Sequence, residues 1–426
     1  MGKLSKIIIV ILLIYIVGLG GYLVYDKVLK KDSQIQEKPT DKPTDEPVVA
    51  KSNEFNYNLI LNNHDIAEKS KNYLISPYSI EIALSMLRDG ASGDTKTEID
   101  KVIGKRKIND VIVKDKVNVA NAIFIKNKHE NNVLSSYKNN LETNYHAELF
   151  VDEFKSPDKI NDWVKEKTME MIPKIFDDLN PNFVLGLINA IAMKVEWQEE
   201  FDCNRTISEE FTKVDGSKIN VEMMHDYGYK YVKEEKVEGI VLPYKKYDNS
   251  NVEFEFVGLI PTGNLDDYIN NNFESDVKNL NNLIKTPINN SSMEQIINLS
   301  LPRFKYESGI KEFMKLLQNM GIRKVFVSGQ ADFSNMVQNV KDLYVDQAVH
   351  KTFIELDEKG TKAAAATGFS IAQKSAGPTK QYEYIDIKFN KPFIYLIREK
   401  NTNEMLFFGV VYEPNLWKGS TCDKGE

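Results

Sequence analysis

Histidine and cysteine are the residues with most chemistry to offer here, and their spacing offers little. His64, His129, His146, His225 and His350 never fall at metal-ligand intervals. Cys203 and Cys422 are too far apart for a metal knuckle or a disulfide scaffold, so both are expected to be unpaired, a bridge that tacks down the tail being the alternative. Phosphate-loop, G-x-S-x-G, H-E-x-x-H and C-x-x-C signatures are all missing. The expectation is no metal, no cofactor and no catalytic centre, with each histidine a surface or hydrogen-bonded core residue.

The segment that asks for explanation instead is Glu358 to Ser375, EKGTKAAAATGFSIAQKS. Four consecutive alanines sit between Gly360 and Gly368. Alanine is the best helix former and a poor strand former, yet the space between the glycines is too short for a stable helix. With a period of two, Thr361, Ala363, Ala365, Thr367, Phe369 and Ile371 fall on one side, small and then apolar, suited to burial. Lys362, Ala364, Ala366, Gly368, Ser370, Ala372 and Lys374 fall on the other, suited to solvent. This is the pattern of a half-buried strand with weak local preference, as a segment needs if it is a loop first and a strand later. An exposed linker or frayed helical turn is the alternative.

The elements that hold this segment follow from composition and periodicity. A net charge of -7, from 55 basic and 62 acidic residues, leaves no basic face for nucleic acid. Residues 1–31 hold an uncharged apolar run, Ile7 to Tyr25, roughly 28 Å long as a helix, and read as a membrane anchor or, alternatively, a cleaved secretion signal. Residues 32–52 repeat Lys-Pro-Thr-Asp in tandem and read as an extended spacer. Residues 53–417 read as one large domain, and 418–426 as a tail. Helical periodicity comes early: Ile80, Ala83, Leu84 and Leu87 share a face, with Ser79 as the cap and Gly90 as the stop. A second helix places Ile160, Trp163, Val164, Lys167 and Met171 near one face. Later segments such as VNVANAIFIKN, NVEFEFVGLIP and VHKTFIELDE are strand-like, so the class is α+β without regular βα alternation.

VHKTFIELDEKGTKAAAAT closely resembles the serpin family's fifth central-sheet strand and reactive-loop hinge. NYLISPYSIEIALSMLRDGASGDTKTEI, LINAIAMKVEWQEEFD, FTKVDGSKINVEMM, LPRFKYES, LQNMGIRKVF, KFNKPFIYLIRE and LFFGVVYEP match in the family's order from about Asn53 to Pro414. The resemblance implies three β-sheets, about nine helices and an exposed reactive loop. It implies a protease inhibitor that is a monomer, binds no nucleic acid and is not an enzyme. The protease would cut the loop, form an acyl-enzyme, and be trapped as the cut loop enters the central sheet. Glu358, Gly360, Thr361, Ala363, Ala364, Ala365, Ala366 and Thr367 would be the hinge. Counting from Glu358 as the family does, the reactive bond would be Lys374–Ser375, with Lys380 as a second candidate because the stretch up to KFNKPF is longer than usual. Lysine suits a trypsin-like serine protease with a carboxylate in its specificity pocket. Ser76, Ser79, Asn189 and His350 would form a polar cluster beneath the sheet, and Trp197 and Arg303 would lie where insertion begins, Arg303 paired with Glu358. The placement expected is extracellular or cell-surface. The rival readings are a non-inhibitory carrier or chaperone, and an inhibitor of a lysine-preferring cysteine protease.

Overall fold

A computed structural model describes residues 49–104, 108–180, 183–247, 250–361 and 381–414. The chain divides at Val48 and Val49 into two units, the first outside the described residues. Among the described residues no helix is long and apolar enough to cross a membrane. The Ile7–Tyr25 span lies outside them, as do Ala363–Thr367, Lys374, Ser375 and Lys380.

Among the described residues eighteen strands build three sheets. β1 (Tyr73–Ile75), β8 (Lys230–Lys233), β9 (Val237–Pro243), β10 (Phe254–Pro261), β11 (Ile284–Lys285), β17 (Phe393–Glu399) and β18 (Met405–Val411) form one, in the order β1-β18-β17-β10-β9-β8-β11. Its long strands are buried along their whole length because both faces are covered, and are apolar apart from Glu255, which pairs with Arg398, and Glu399. β6 (Ile207–Thr212), β7 (Lys218–Tyr227), β12 (Met293–Pro302) and β16 (Gln381–Lys388) form a four-stranded sheet, β16-β12-β7-β6.

The central sheet contains β2 (Val117–Lys126), β3 (Glu148–Asp152), β4 (Leu185–Met193), β5 (Val195–Glu196), β13 (Phe304–Gly309), β14 (Gln347–Asp357) and β15 (Gly360–Thr361). β4 and β14 pair in parallel from Gly186 and Gln347 to Ile191 and Thr352. Beyond that point they part, and β15 lies between β14 and β5, antiparallel to both. Both faces of this sheet are packed. Leu187, Ile191 and Met193 join the main core, while Ile188 and Ala190 join a second cluster with Ile160 and Val164 of the Asp158–Lys167 helix. β4 is buried on both faces along its whole length; the alternation expected beyond Thr361 lies outside the described residues.

Nine α-helices and three 3-10 turns lie among the described residues. The Pro77–Gly90 helix stops at Gly90 as its sequence suggests, but its cap is Ser76, not Ser79: the Ser76 hydroxyl accepts from the Ser79 amide at 3.2 Å, with Pro77 at the first helical position. The second helix ends at Lys167, and Met169 and Glu170 take positive φ, so Met171 falls off the helical face. Cys203 is disulfide-bonded, which overturns the unpaired expectation; the chain's one other cysteine, Cys422, lies outside the described residues.

Candidate functional site

Two groups of side chains meet the line where β4 and β14 join, one at the middle of the sheet and one at the end where the strands part. The middle group is polar and wholly buried. His350 and Asn189 are cross-strand partners on β14 and β4. The Ser76 amide donates to His350 Nε2 at 3.1 Å, so that nitrogen carries no proton; Nδ1 carries it and donates to Asn189 Oδ1 at 2.5 Å. Asn189 Nδ2 donates in turn to the Ser79 carbonyl at 2.9 Å, to the Ser79 hydroxyl, and to Asn121 Oδ1 on β2 at 2.6 Å. Burial pushes the His350 imidazole down to about 3, so it is a neutral hydrogen-bonded residue. The cluster ties the Pro77–Gly90 helix to both strands and β4 to β14, and parting the strands breaks the His350–Asn189 bond.

At the splayed end, Trp197 stacks on Tyr244 with ring centroids 4.5 Å apart and planes 9° from parallel. Its indole donates to the Asp357 carbonyl at 2.9 Å and its amide to the Lys359 carbonyl at 3.0 Å. Arg303 Nε donates to Glu358 Oε1 at 2.7 Å, and a second guanidinium nitrogen and the Thr206 hydroxyl reach the same oxygen. The pair is buried, Arg303 6% and Glu358 0% exposed. Removing one partner alone leaves an uncompensated buried charge, at a cost of about 3–5 kcal/mol. Asp357 accepts from the Lys359 amide at 2.9 Å and closes the turn into β15. Burial, opposed by that amide and reinforced by the charges of Glu358 and Glu355, raises its carboxyl to about 6.

Gly360 and Thr361 follow the turn. Gly360 has φ +143°, and a Cβ there would meet the Val195 carbonyl oxygen at 2.3 Å and the Glu196 Cα at 2.7 Å. Only glycine allows β15 so close to β5. The Thr361 hydroxyl lies 2.8 Å from the Tyr244 hydroxyl, 2% exposed and turned into the main core. Burial holds the Tyr244 phenol far above its ordinary range, so it stays a neutral partner.

The structure thus brings Ser76, Ser79, Asn189 and His350 together, and separately Trp197, Arg303, Glu358, Gly360 and Thr361. Sequence reasoning missed Asn121, Tyr244, Asp357 and Thr206. Asn121 carries a signal, a lone polar residue at an inward position of the apolar run VNVANAIFIK. Thr206 carries none, since only the fold brings it to Glu358. No group of His, Cys, Asp or Glu that could hold a metal ion is present among the described residues.

These sites define a protein whose central sheet is closed along half its length and wedged open at one end by the start of a further strand. The family model described as Serpin (serine protease inhibitor) matches residues 50–414. Human Serpin B11 is 31% identical over 395 residues, covering 83% of this chain and 95% of that protein. Iripin-2 of Ixodes ricinus is 31% identical over 80% of this chain and 87% of its own length. The crystal structure of the thermophilic serpin tengpin in its native state matches with a TM-score of 0.73 at 31% identity, covering 88% of this chain and 96% of that one. The chain belongs to the serpin family, a family of serine protease inhibitors.

Proposed function

We propose that this chain is an irreversible suicide-substrate inhibitor of a trypsin-like serine protease, cut after Lys374 and held outside the cell by its N-terminal segment. The observation that carries the reading is the register of β15. Thr361 is opposite Leu356 on one side and Val195 on the other. Continuing both registers residue by residue brings Ala365 opposite Thr352 and Ile191 at once, and those two are the last pair in which β14 and β4 bond each other. A strand growing from Thr361 therefore meets both neighbours in register without a slip. Farther on, Thr367 falls opposite both His350 and Asn189, where its hydroxyl replaces the bond that parting breaks.

The alanines now have a reason at both parities. Ala363 and Ala365 would enter the main core, and Ala364 and Ala366 the second cluster beside Ala190 and Ala192, so neither face has room for bulk. Lys362 would come opposite Glu355, at the charged rim held by Lys305 at 3.1 Å.

Lys374 is favoured over Lys380 by the strand that follows. The Gln381 amide already donates to the Ser292 carbonyl at 2.9 Å, the first rung of β16 against β12. A protease needs several extended residues beyond the bond it cuts, and a bond directly before Gln381 would require peeling β16 off its sheet. The bond after Lys374 leaves that strand intact. Placement outside the cell is supported by the apolar run Ile7–Tyr25 and by the disulfide at Cys203, which fits an oxidising compartment; retention in the membrane pellet after alkaline carbonate washing checks the anchor.

The test is incubation of the full-length protein with trypsin and, separately, with a lysine-directed cysteine protease. An SDS-stable adduct with trypsin, with the loop cut after Lys374, is the expected result. Complete cleavage of the loop with no adduct makes the protein a substrate and ends the inhibitor reading. An adduct with the cysteine protease alone moves the target to that class.

A further inference from the structure

Tyr382 and Tyr384 on β16 are 54% and 63% exposed, the two most exposed aromatic residues among the large apolar side chains of the described residues. They are two positions apart and share the outward face of the strand, opposite Glu294 and Ile296 of β12. Asp386 continues that face and accepts from Asn298 at 2.8 Å. β16 is an edge strand, paired only with β12 among the described residues. An open groove of about 510 Å³ lies against β16, lined by Tyr384, Asp386 and Glu383 of that strand and by Tyr231, Lys233 and Lys285. Sheet edges are ordinarily blunted by charge or proline at such places, not left with two tyrosines standing clear.

We infer that Tyr382 and Tyr384 form a second docking surface for the protease that cuts the loop, so that selection among lysine-cleaving proteases is made on β16 as well as at Lys374. The inference rests on the inhibitor reading. The occupant follows from reach. From Ser375 to Gln381 the chain spans at most roughly 20 Å fully extended. A compact protease domain of about 230 residues has a radius of gyration near 17 Å and a body about twice as wide. A protease holding Lys374 in its cleft therefore lies within contact range of β16, where the exposed tyrosines are the large apolar side chains open to it.

The chemistry of that face narrows the partner. Two exposed phenol rings beside the carboxylates of Glu294 and Asp386 suit a protease whose cleft rim carries arginine or lysine. Such cations stack on tyrosine and pair with the acids around it. Lys233 and Lys285, across the groove, pair with Glu238 and Glu234 and leave the acidic character of the tyrosine face in place. Tyrosine is also a side chain that dominates interface energetics when it becomes buried.

The experiment compares association rate constants of the full-length protein and its Tyr382→Ser/Tyr384→Ser variant against trypsin, thrombin and plasmin. The double variant is expected to lose tenfold or more in rate against at least one protease. Its thermal midpoint and the number of inhibitor molecules consumed per protease should stay unchanged. Tyr382→Phe/Tyr384→Phe, which keeps the rings, should retain most of the rate and guards against a folding artefact. Equal rates for wild type and double variant against every inhibited protease overturn the docking surface and leave the inhibitor reading standing. If the wild type forms no adduct with any of the three, the inhibitor reading fails and the docking surface falls with it.

Discussion

His350 shows how one side chain ties the sheet to pH. Its folded value is near 3, against about 6.5 for a free imidazole. Between those values the unfolded chain binds a proton that the native chain does not, so acid favours unfolding. Stability contributed by this residue is complete above about pH 6.5 and falls by about 1.4 kcal/mol per unit as pH drops below it. Asp357 works in the opposite sense: its raised value, about 6, means the native chain binds its proton first, and that contribution grows as pH falls from 6 towards the ordinary carboxyl range. Comparing the wild type with His350→Gln cancels the Asp357 contribution. At pH 7 the variant should melt lower, because the Ser76 amide and Asn189 lose their partner, a cost of about 1–3 kcal/mol. Between pH 7 and pH 5 the gap should narrow, as only the wild type loses the imidazole's share. Melting curves by circular dichroism at half-unit intervals check this; a gap that stays constant would mean His350 titrates normally.

At the scale of elements, β15 is two residues long and yet sets how the rest of the loop would enter. Gly360→Val places a side chain against the backbone of β5, where atoms already lie within 2.3 Å of a Cβ position. The strand must move out, taking the Thr361 hydroxyl from Tyr244. The variant should still be cut by trypsin but be consumed more as substrate, with several molecules cleaved per protease trapped. Titration of trypsin activity against inhibitor reads this directly, and an unchanged ratio would show that β15 is not the entry point. β15 also marks the limit of what the sequence discloses. The alternation from Thr361 predicts which side would turn inward, but nothing local discloses that the neighbouring β4 is dry on its outer face too, because the helix that covers it lies two hundred residues earlier in the chain. The strands β4, β10 and β17 are legible because burial on both faces leaves them mostly apolar, and β14 because its first half alternates between buried and half-buried residues. β1, β5, β11 and β15 are too short to show a period. The polar cluster shows Asn121 and Asn189 as anomalies in apolar runs. Ser76, Ser79 and His350 look like ordinary helix and strand residues until the fold sets them within hydrogen-bond distance.

At the scale of the whole molecule, the proposed mechanism would draw its driving force from the central sheet. β4 and β14 satisfy each other along six residue pairs, and then each has an edge turned toward the space β15 begins to fill. While the loop is intact, its far end is fixed at Gln381 in β16, in a different sheet, and it cannot lie full length between the two strands. Cutting it frees one end. Residues 362–371 would then add a strand bonded on both sides, with about ten net new backbone hydrogen bonds at about 1 kcal/mol each, together with burial of Phe369 and Ile371. On this proposal the uncut fold would be held by a barrier and not by equilibrium. For a domain of this size each kcal/mol moves the melting temperature by about 1.3 °C. The prediction is that protein nicked after Lys374 melts at least about 10 °C above the intact form, measured by circular dichroism on matched samples. A charge at an inward position should blunt the gain: Ala365→Asp, cut at the same bond, must bury an unpaired carboxylate opposite Ile191 and Thr352 and should keep a melting temperature near that of the uncut chain. Equal melting temperatures for nicked and intact wild type would remove the force by which a bound protease is trapped.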